Sequence, residues 1–256
     1  IPAVSFSSFI ISTDLFLLLF WTLSLNEIVK IKKLPNIKSF FLLGIFLGLG
    51  FLSKYAAVYF IFCIIVYILL DLKFRQLFAK NILGFSISFL CVFLILLPNI
   101  IWNINNNWVT LSHTSDNTNL NNIEISFYRG LEFLIIQILM IGPILFIGNL
   151  LNFKNLKFYE NGKMLLVFSI PIFLIVFFEA LIVRANANWA APGLISFYIF
   201  LFSGIKNIVL KRLNVIFNFV FGILFFTVIG ATYKSNITDR ISDIGDFSEY
   251  VFSETS

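Results

Sequence analysis

Residues 48–60 read GLGFLSKYAAVYF, and this stretch decides the fold. It sets one lysine, Lys54, inside an apolar run that extends from Ser39 to Leu70. A charge at the centre of a membrane-embedded helix costs about 2.5–3.5 kcal/mol on insertion scales. A straight helix over the whole run would reach about 48 Å, well past a hydrocarbon core of about 30 Å. The charges on either side resolve both problems. Lys30, Lys32, Lys33 and Lys38 precede the run, and Lys73, Arg75 and Lys80 follow it. Positive residues gather on the cytoplasmic side, so both ends belong there and the run must cross outward and return. The break falls at the polar Ser53-Lys54 pair after Gly48 and Gly50, giving helices over about 39–52 and 55–70. Lys54 then lies at the outer tip of a hairpin rather than in mid-membrane.

Composition points the same way along the whole chain. It is 59% hydrophobic and 12% charged, with mean hydropathy +0.97, more apolar surface than one water-soluble core can hide. This predicts an all-α polytopic membrane protein with about eight transmembrane or membrane-embedded helices. Besides the hairpin, the apolar segments are 14–29, 82–101, 126–150, 164–183, 189–205 and 213–233. Residues 1–233 read as the membrane domain and 234–256 as a polar extracytoplasmic tail. The net charge of +5 is not a nucleic-acid signal, because its placement follows the loops. Four loops assigned to the cytoplasm carry 4, 3, 3 and 3 basic residues, 13 of the 18 Lys and Arg. The chain has no initiator Met and is read as the interior of a longer protein.

Cys63 and Cys91 lie in apolar runs and read as packing residues, and His113 is the single histidine, so a His-rich metal site is excluded. The polar residues that remain collect on the outer face. Asp14 opens the first helix, with Ser12 or Thr13 able to cap it. Lys54 turns the hairpin, and WNINNNW (102–108) leaves the helix that contains Pro98. Arg129 and Glu132 open the next helix at i, i+3 spacing, and Glu179, Arg184 and NWAAP (188–192) complete the set. Acids and bases at one membrane boundary are what a polar cavity open to that side requires. Each also has a plainer role: the tryptophans as interfacial anchors, Arg129 with Glu132 as a surface ion pair, Asp14 as a cap, Lys54 as a snorkelling cation.

TDLFLLLFWTLSL, GIFLGLGFLSKYAAVYF, LLPNIIWNINNNWVTLSH, LEFLIIQILMIGPILF and PIFLIVFFEALIVRANANWAAPGLISFY occur in this order over residues 10–200. The ordered set resembles bacterial glycosyltransferase family 39, which includes dolichyl-phosphate-mannose protein mannosyltransferases and aminoarabinose transferases. The resemblance implies a multi-spanning enzyme that moves a sugar from a polyprenyl-phosphate carrier to an extracytoplasmic lipid, glycan or protein acceptor. It implies residence among the lipids of a bacterial inner membrane, with the site on the periplasmic side. The family's general-base aspartate lies in a first outer loop, expected upstream of Ile1, so the fragment is expected to be inactive alone. Lys54 matches the family's lysine and would bind the carrier phosphate. Asp14 matches the aspartate of its TD pair, an accessory group that could shape the sugar or metal environment. Arg129 and Arg184 are further candidates for the phosphate, and Trp102, Asn103 and Trp189 for lining the site. Ala190 stands where the family usually has proline. The residues fix no cofactor, and a divalent metal stays open. A lipid-linked sugar flippase or secondary transporter is the alternative, although no internal repeat joins the two halves.

Overall fold

The computed structural model describes residues 2, 4, 12–110, 112, 125–151, 161–183 and 185–228. Those residues form helices and turns, with no strand among them. In chain order the helices are α1 (Thr13–Lys33), α2 (Ile37–Ser53), α3 (Val58–Leu70), α4 (Leu72–Lys80), α5 (Ile82–Asn105), α6 (Phe127–Ile141), α7 (Pro143–Leu151), α8 (Gly162–Val167), α9 (Ile170–Ile182), α10 (Ala191–Gly204) and α11 (Ile208–Val228). Short 3₁₀ turns, Tyr55–Ala57 and Ala187–Ala190, lead into α3 and α10.

Among the described residues, each apolar segment read from the sequence is built of helix, so the chain is an all-α polytopic membrane protein. The spans are more broken than eight uniform rods. By length and apolarity alone three helical stretches can cross a bilayer, Ile82–Asn105, Gly162–Ile182 and Ile208–Val228. Counting each sharply bent pair as one span raises that to five. The bends have identifiable causes. At Gly142 the backbone adopts φ +108°, which an L side chain rarely tolerates, and Pro143 follows, turning α7 by 100° from α6. The expected segment 126–150 is therefore two helices rather than one. Between α3 and α4 the chain turns by 111° at Asp71, whose Oδ1 accepts from the Phe74 N–H at 2.9 Å. Burial pushes the Asp71 carboxyl up, but the Phe74 N–H and the charges of Lys163 and Lys32 prevail and hold it below its usual value.

At the hairpin, α2 ends at Ser53 and Lys54 is extended (φ −162°, ψ 134°) before the 3₁₀ turn begins. Side-chain contacts give the direction of travel. Lys54 meets Asp14, at the start of α1, whereas the Tyr67 ring near the end of α3 lies 5.6 Å below the Lys32 ammonium at the end of α1. So α3 runs with α1 and against α2, and residues 33–38 and 71–80 return to one end of the bundle. Asn161 and Lys163 join that end, through Lys32 Nζ to Asn161 Oδ1 at 2.8 Å and Lys163 Nζ to Asp71 at 3.3 Å. The opposite end collects Asp14, Lys54, Ser126, Leu181 and Asn188, with Ser126 N donating to Leu181 O at 2.8 Å.

Between the two ends lies an aromatic core. Trp21 meets Phe60 edge-on at 4.9 Å, Phe60 meets Phe168 at 4.8 Å, and Tyr67 stacks on Phe74 at 4.2 Å. Such pairs contribute about 0.5–1.5 kcal/mol each beyond area burial. The Trp21 indole N–H reaches Ser196 Oγ on α10 at 3.3 Å, satisfying its one donor. Helices α2 and α5 approach closely because their contact is built from small residues. A Cβ on Gly44 would lie 2.5 Å from the Ser88 carbonyl oxygen, and one on Gly84 would lie 2.5 Å from the Phe40 ring. Close backbone approach of this kind replaces the hydrophobic drive that lipid removes. Ser88 Oγ adds a hydrogen bond to the Phe40 carbonyl at 2.6 Å.

Candidate functional site

The polar end is built from three chain breaks brought together. Thr13 begins α1 after an extended Ser12, which occupies the cap position without a side-chain cap bond. Asp14 therefore sits in the first turn, near the positive end of the helix dipole, and is nearly buried. Lys54 is the extended residue between α2 and the first 3₁₀ turn, and Asn188 belongs to the second 3₁₀ turn, between α9 and α10. Lys54 Nζ donates to Asp14 Oδ1 at 2.6 Å, and Asn188 Nδ2 donates to Asp14 Oδ2 at 2.9 Å. Both carboxylate oxygens are thus engaged. The exposures differ: the Asp14 side chain is 8% exposed and that of Lys54 is 26%. One ammonium face therefore serves the pair, while another stays open to an approaching group.

The second 3₁₀ turn is itself held in place. Gln137, buried on α6, sends its amide N–H across to the Ala187 carbonyl at 2.9 Å. Trp189 lies half-buried against the aromatic core, and its backbone N–H closes on Asn186 O at 3.0 Å.

Beside Lys54 a second polar group surrounds Tyr55. The phenol donates to Asn99 Oδ1 at 2.9 Å, lies 3.1 Å from Thr110 Oγ1 and receives Asn103 Nδ2 at 3.4 Å. Asn103 also donates to the Asn99 carbonyl at 2.9 Å, and Thr110 donates to Asn103 Oδ1. Pro98 lies within α5 just before Asn99, so the helix lacks one backbone donor there, and Asn99 and Asn103, one turn apart, share a face. Where α5 ends, Asn107 (φ 54°) and Trp108 (φ 56°) adopt left-handed backbone, and the Trp108 N–H returns to the Asn103 carbonyl at 2.8 Å.

The residues expected from the sequence therefore fall into groups. Lys54 and Asp14 form one ion pair, and Asn103 belongs to the neighbouring network. Trp189, within the second 3₁₀ turn, packs against the aromatic core. Trp102, next to Asn103 in the chain, is 49% exposed. Arg129 stands in the first turn of α6, where its N–H meets the Ser126 cap at 3.5 Å, close to where Gly130 lies against Leu181. Arg184, His113 and the tail 234–256 lie outside the described residues. Among the described residues no three His, Cys, Asp or Glu side chains cluster as metal ligands. Sequence reasoning held Asn188 only as the first residue of NWAAP and missed Tyr55, Asn99 and Thr110 as members of the site. The signal was present for two of them: Tyr55 follows Lys54 in SKY, and Asn99 precedes Asn103 by four residues.

The profile of the dolichyl-phosphate-mannose-protein mannosyltransferase family matches residues 2–102, which include Asp14, Lys54, Asn99 and Trp102. A lipid A galacturonosyltransferase of Rhizobium johnstonii is 28% identical over 199 residues, covering 77% of this chain and 41% of that protein. The chain thus spans less than half the length of that relative. No solved structure matches. Both similarities are to glycosyltransferases, in line with the resemblance carried by the ordered motifs.

Proposed function

We propose, starting from this kinship with membrane glycosyltransferases, that the chain is part of an enzyme that takes a sugar from a polyprenyl-phosphate carrier and gives it to an extracytoplasmic lipid, glycan or protein acceptor. The observation that carries the reading is the meeting of Lys54, Asp14 and Asn188 from three distant motifs at one end of the bundle.

The chemistry asks for what this end offers. As the sugar–phosphate bond breaks, negative charge grows on the lipid phosphate, and a fixed cation stabilises that charge more than it stabilises the starting donor. Lys54 supplies a compact point charge with donors to spare beyond the one on Asp14. Asp14, with both oxygens engaged, acts as the counter-ion that aims Lys54 rather than as the proton acceptor. Asn188 fixes the second oxygen and so the direction of the first. The base that takes the acceptor's proton is, on this reading, a group other than these three. The site faces the periplasm of a bacterial inner membrane. Arg129 and Arg184 are second contacts for phosphate, and Trp189 and Asn103 line the approach.

The test is sugar transfer from a radiolabelled polyprenyl-phosphate donor by the full-length protein in membranes. Lys54→Ala should lower turnover at least 100-fold with the protein still inserted and folded, and Lys54→Arg should recover part of it. Wild-type turnover by Lys54→Ala removes Lys54 from the phosphate site. Uptake of the lipid-linked sugar without transfer would favour the flippase instead.

A further inference from the structure

The opposite end of the bundle carries a different set of charges. Two acids at this end have a lysine partner within the protein: Glu27 Oε1 pairs with Lys30 at 2.7 Å, and Asp71 pairs with Lys163 at 3.3 Å. Lys32 is turned inward onto Asn161 and the Tyr67 ring. Beside them stand Lys33, Lys38, Lys73, Arg75 and Lys80, all exposed and none in an ion pair among the described residues. Five uncompensated cations share one rim. They are brought together by packing: Phe40, two residues after Lys38, meets Phe85 edge-on at 5.0 Å, and Phe85 in turn meets Phe78 of α4 at 4.6 Å.

Helix α4 supplies three of the five and has the geometry of an interfacial element. Since α3 runs along the bundle, its 111° bend into α4 lays α4 across the bundle axis. Its sequence, LKFRQLFAK, buries Phe74 and half-buries Leu77 and Phe78, while Lys73, Arg75, Gln76 and Lys80 face outward. Exposed Leu69, Leu70 and Leu72 flank the same turn, so cations and apolar side chains meet along one line. That arrangement fits the boundary between acyl chains and headgroups. Lys38 and Lys73 also stand in the first turns of α2 and α4, where the helix dipole disfavours a cation. An anionic layer in front of them removes that penalty.

We propose that this rim is a docking surface for anionic phospholipid headgroups, with α4 lying in the plane of the interface and Lys73, Arg75 and Lys80 as its principal contacts. The occupant is a membrane lipid rather than a free phosphate, because the exposed leucines beside the cations need acyl chains to cover them. Each juxtamembrane cation strengthens attraction to an anionic leaflet about fivefold, so the three on α4 together contribute roughly 100-fold, and salt screens the effect. The inference is independent of the transferase reading.

The experiment measures lipid binding by the full-length detergent-solubilised protein, with phosphatidylglycerol, phosphatidylcholine and glycerol phosphate as probes, by native mass spectrometry and thermal unfolding. Phosphatidylglycerol should bind and raise the unfolding temperature. Phosphatidylcholine should do so far less, and the difference should shrink in high salt. The K73Q/R75Q/K80Q variant, whose changes leave Phe74, Leu77 and Phe78 intact, should weaken phosphatidylglycerol binding roughly 100-fold. Should that variant fail to fold, hydrogen exchange of wild-type α4 in nanodiscs decides: residues 72–80 should exchange more slowly in phosphatidylglycerol than in phosphatidylcholine. Equal response to the two lipids, an unchanged triple variant, or stabilisation by glycerol phosphate alone overturns the proposal.

Discussion

The two ends of this bundle hold lysines in opposite ways. At one end Lys54 turns inward, half-buried, onto an almost fully buried aspartate that a third segment also grips. At the other, Lys163 meets Asp71 at 3.3 Å with more than half of the lysine side chain in the open. The first arrangement needs three chain segments to converge; the second needs only a helix cap and a long flexible side chain. Convergence at a chain break, with a polar network beside it, marks a site where position matters. Dispersed, exposed cations mark a surface where only charge matters. The same residue type thus performs two kinds of task, and the contrast can be tested pair by pair.

The sharpest comparison removes each acid. Asp14→Ala strands the Lys54 ammonium and the Asn188 amide in a low-dielectric setting, and should destabilise the protein by about 3 kcal/mol, the range for breaking a buried pair from one side. Exchanging the partners, Asp14→Lys with Lys54→Asp, should recover much of that stability but none of the transfer activity, because the cation then stands on the wrong helix. Denaturant unfolding read alongside sugar transfer separates the two outcomes. If the exchanged protein transfers sugar normally, the position of the charge carries no information and the contrast between the ends collapses.

Asn188→Ala comes next, with an expected loss of about 1–2 kcal/mol for an orphaned carboxylate hydrogen bond. Because Asn188 acts on Lys54 only through Asp14, it is a positioning residue. Its loss should lower turnover several-fold, and Asn188→Asp should be worse than alanine, since it sets a second carboxylate against Asp14. Tyr55→Phe is smaller again, about 1 kcal/mol, since it removes one phenol from a network in which Asn99 and Asn103 still meet each other.

How far the sequence reaches is clear from these same residues. The break at Lys54 was legible because two arguments, helix length against bilayer thickness and the basic residues on both flanks, demanded it independently. The Asp14 to Lys54 pairing was legible as a shared face but not as a contact, since nothing local brings residues 14 and 54 within 2.6 Å. Gln137 was hidden, and Asn188 was visible only as part of NWAAP, for a different reason. Their roles depend on a short 3₁₀ turn whose place is set by packing against α6, and no sequence pattern pairs either amide with its partner. The bend at Gly142 was missed because a Gly-Pro step in an apolar run reads as a kink, whereas the observed turn is 100° and rests on a positive φ that only the fold reveals.

The smallest effect lies at the open end, and its pH dependence shows why it is small. Asp71 is held below its usual carboxylate value by the Phe74 N–H and the nearby lysines, against the upward push of burial. A carboxyl lowered in the folded state contributes stability above its unfolded value of about 3.9 and loses it as pH falls through the lowered folded value. From about pH 5 upward the contribution is therefore constant. Asp71→Asn should cost less than about 1 kcal/mol at neutral pH, as for other exposed pairs, because asparagine still caps α4 and only the Lys163 attraction is lost. Unfolding of the two proteins compared from pH 7 to pH 3 should show the difference closing toward acid. A difference that stayed constant to pH 3, or exceeded the one for Asn188→Ala, would mean that Asp71 and Lys163 are as tightly built as Asp14 and Lys54, and that the two ends do not differ in kind.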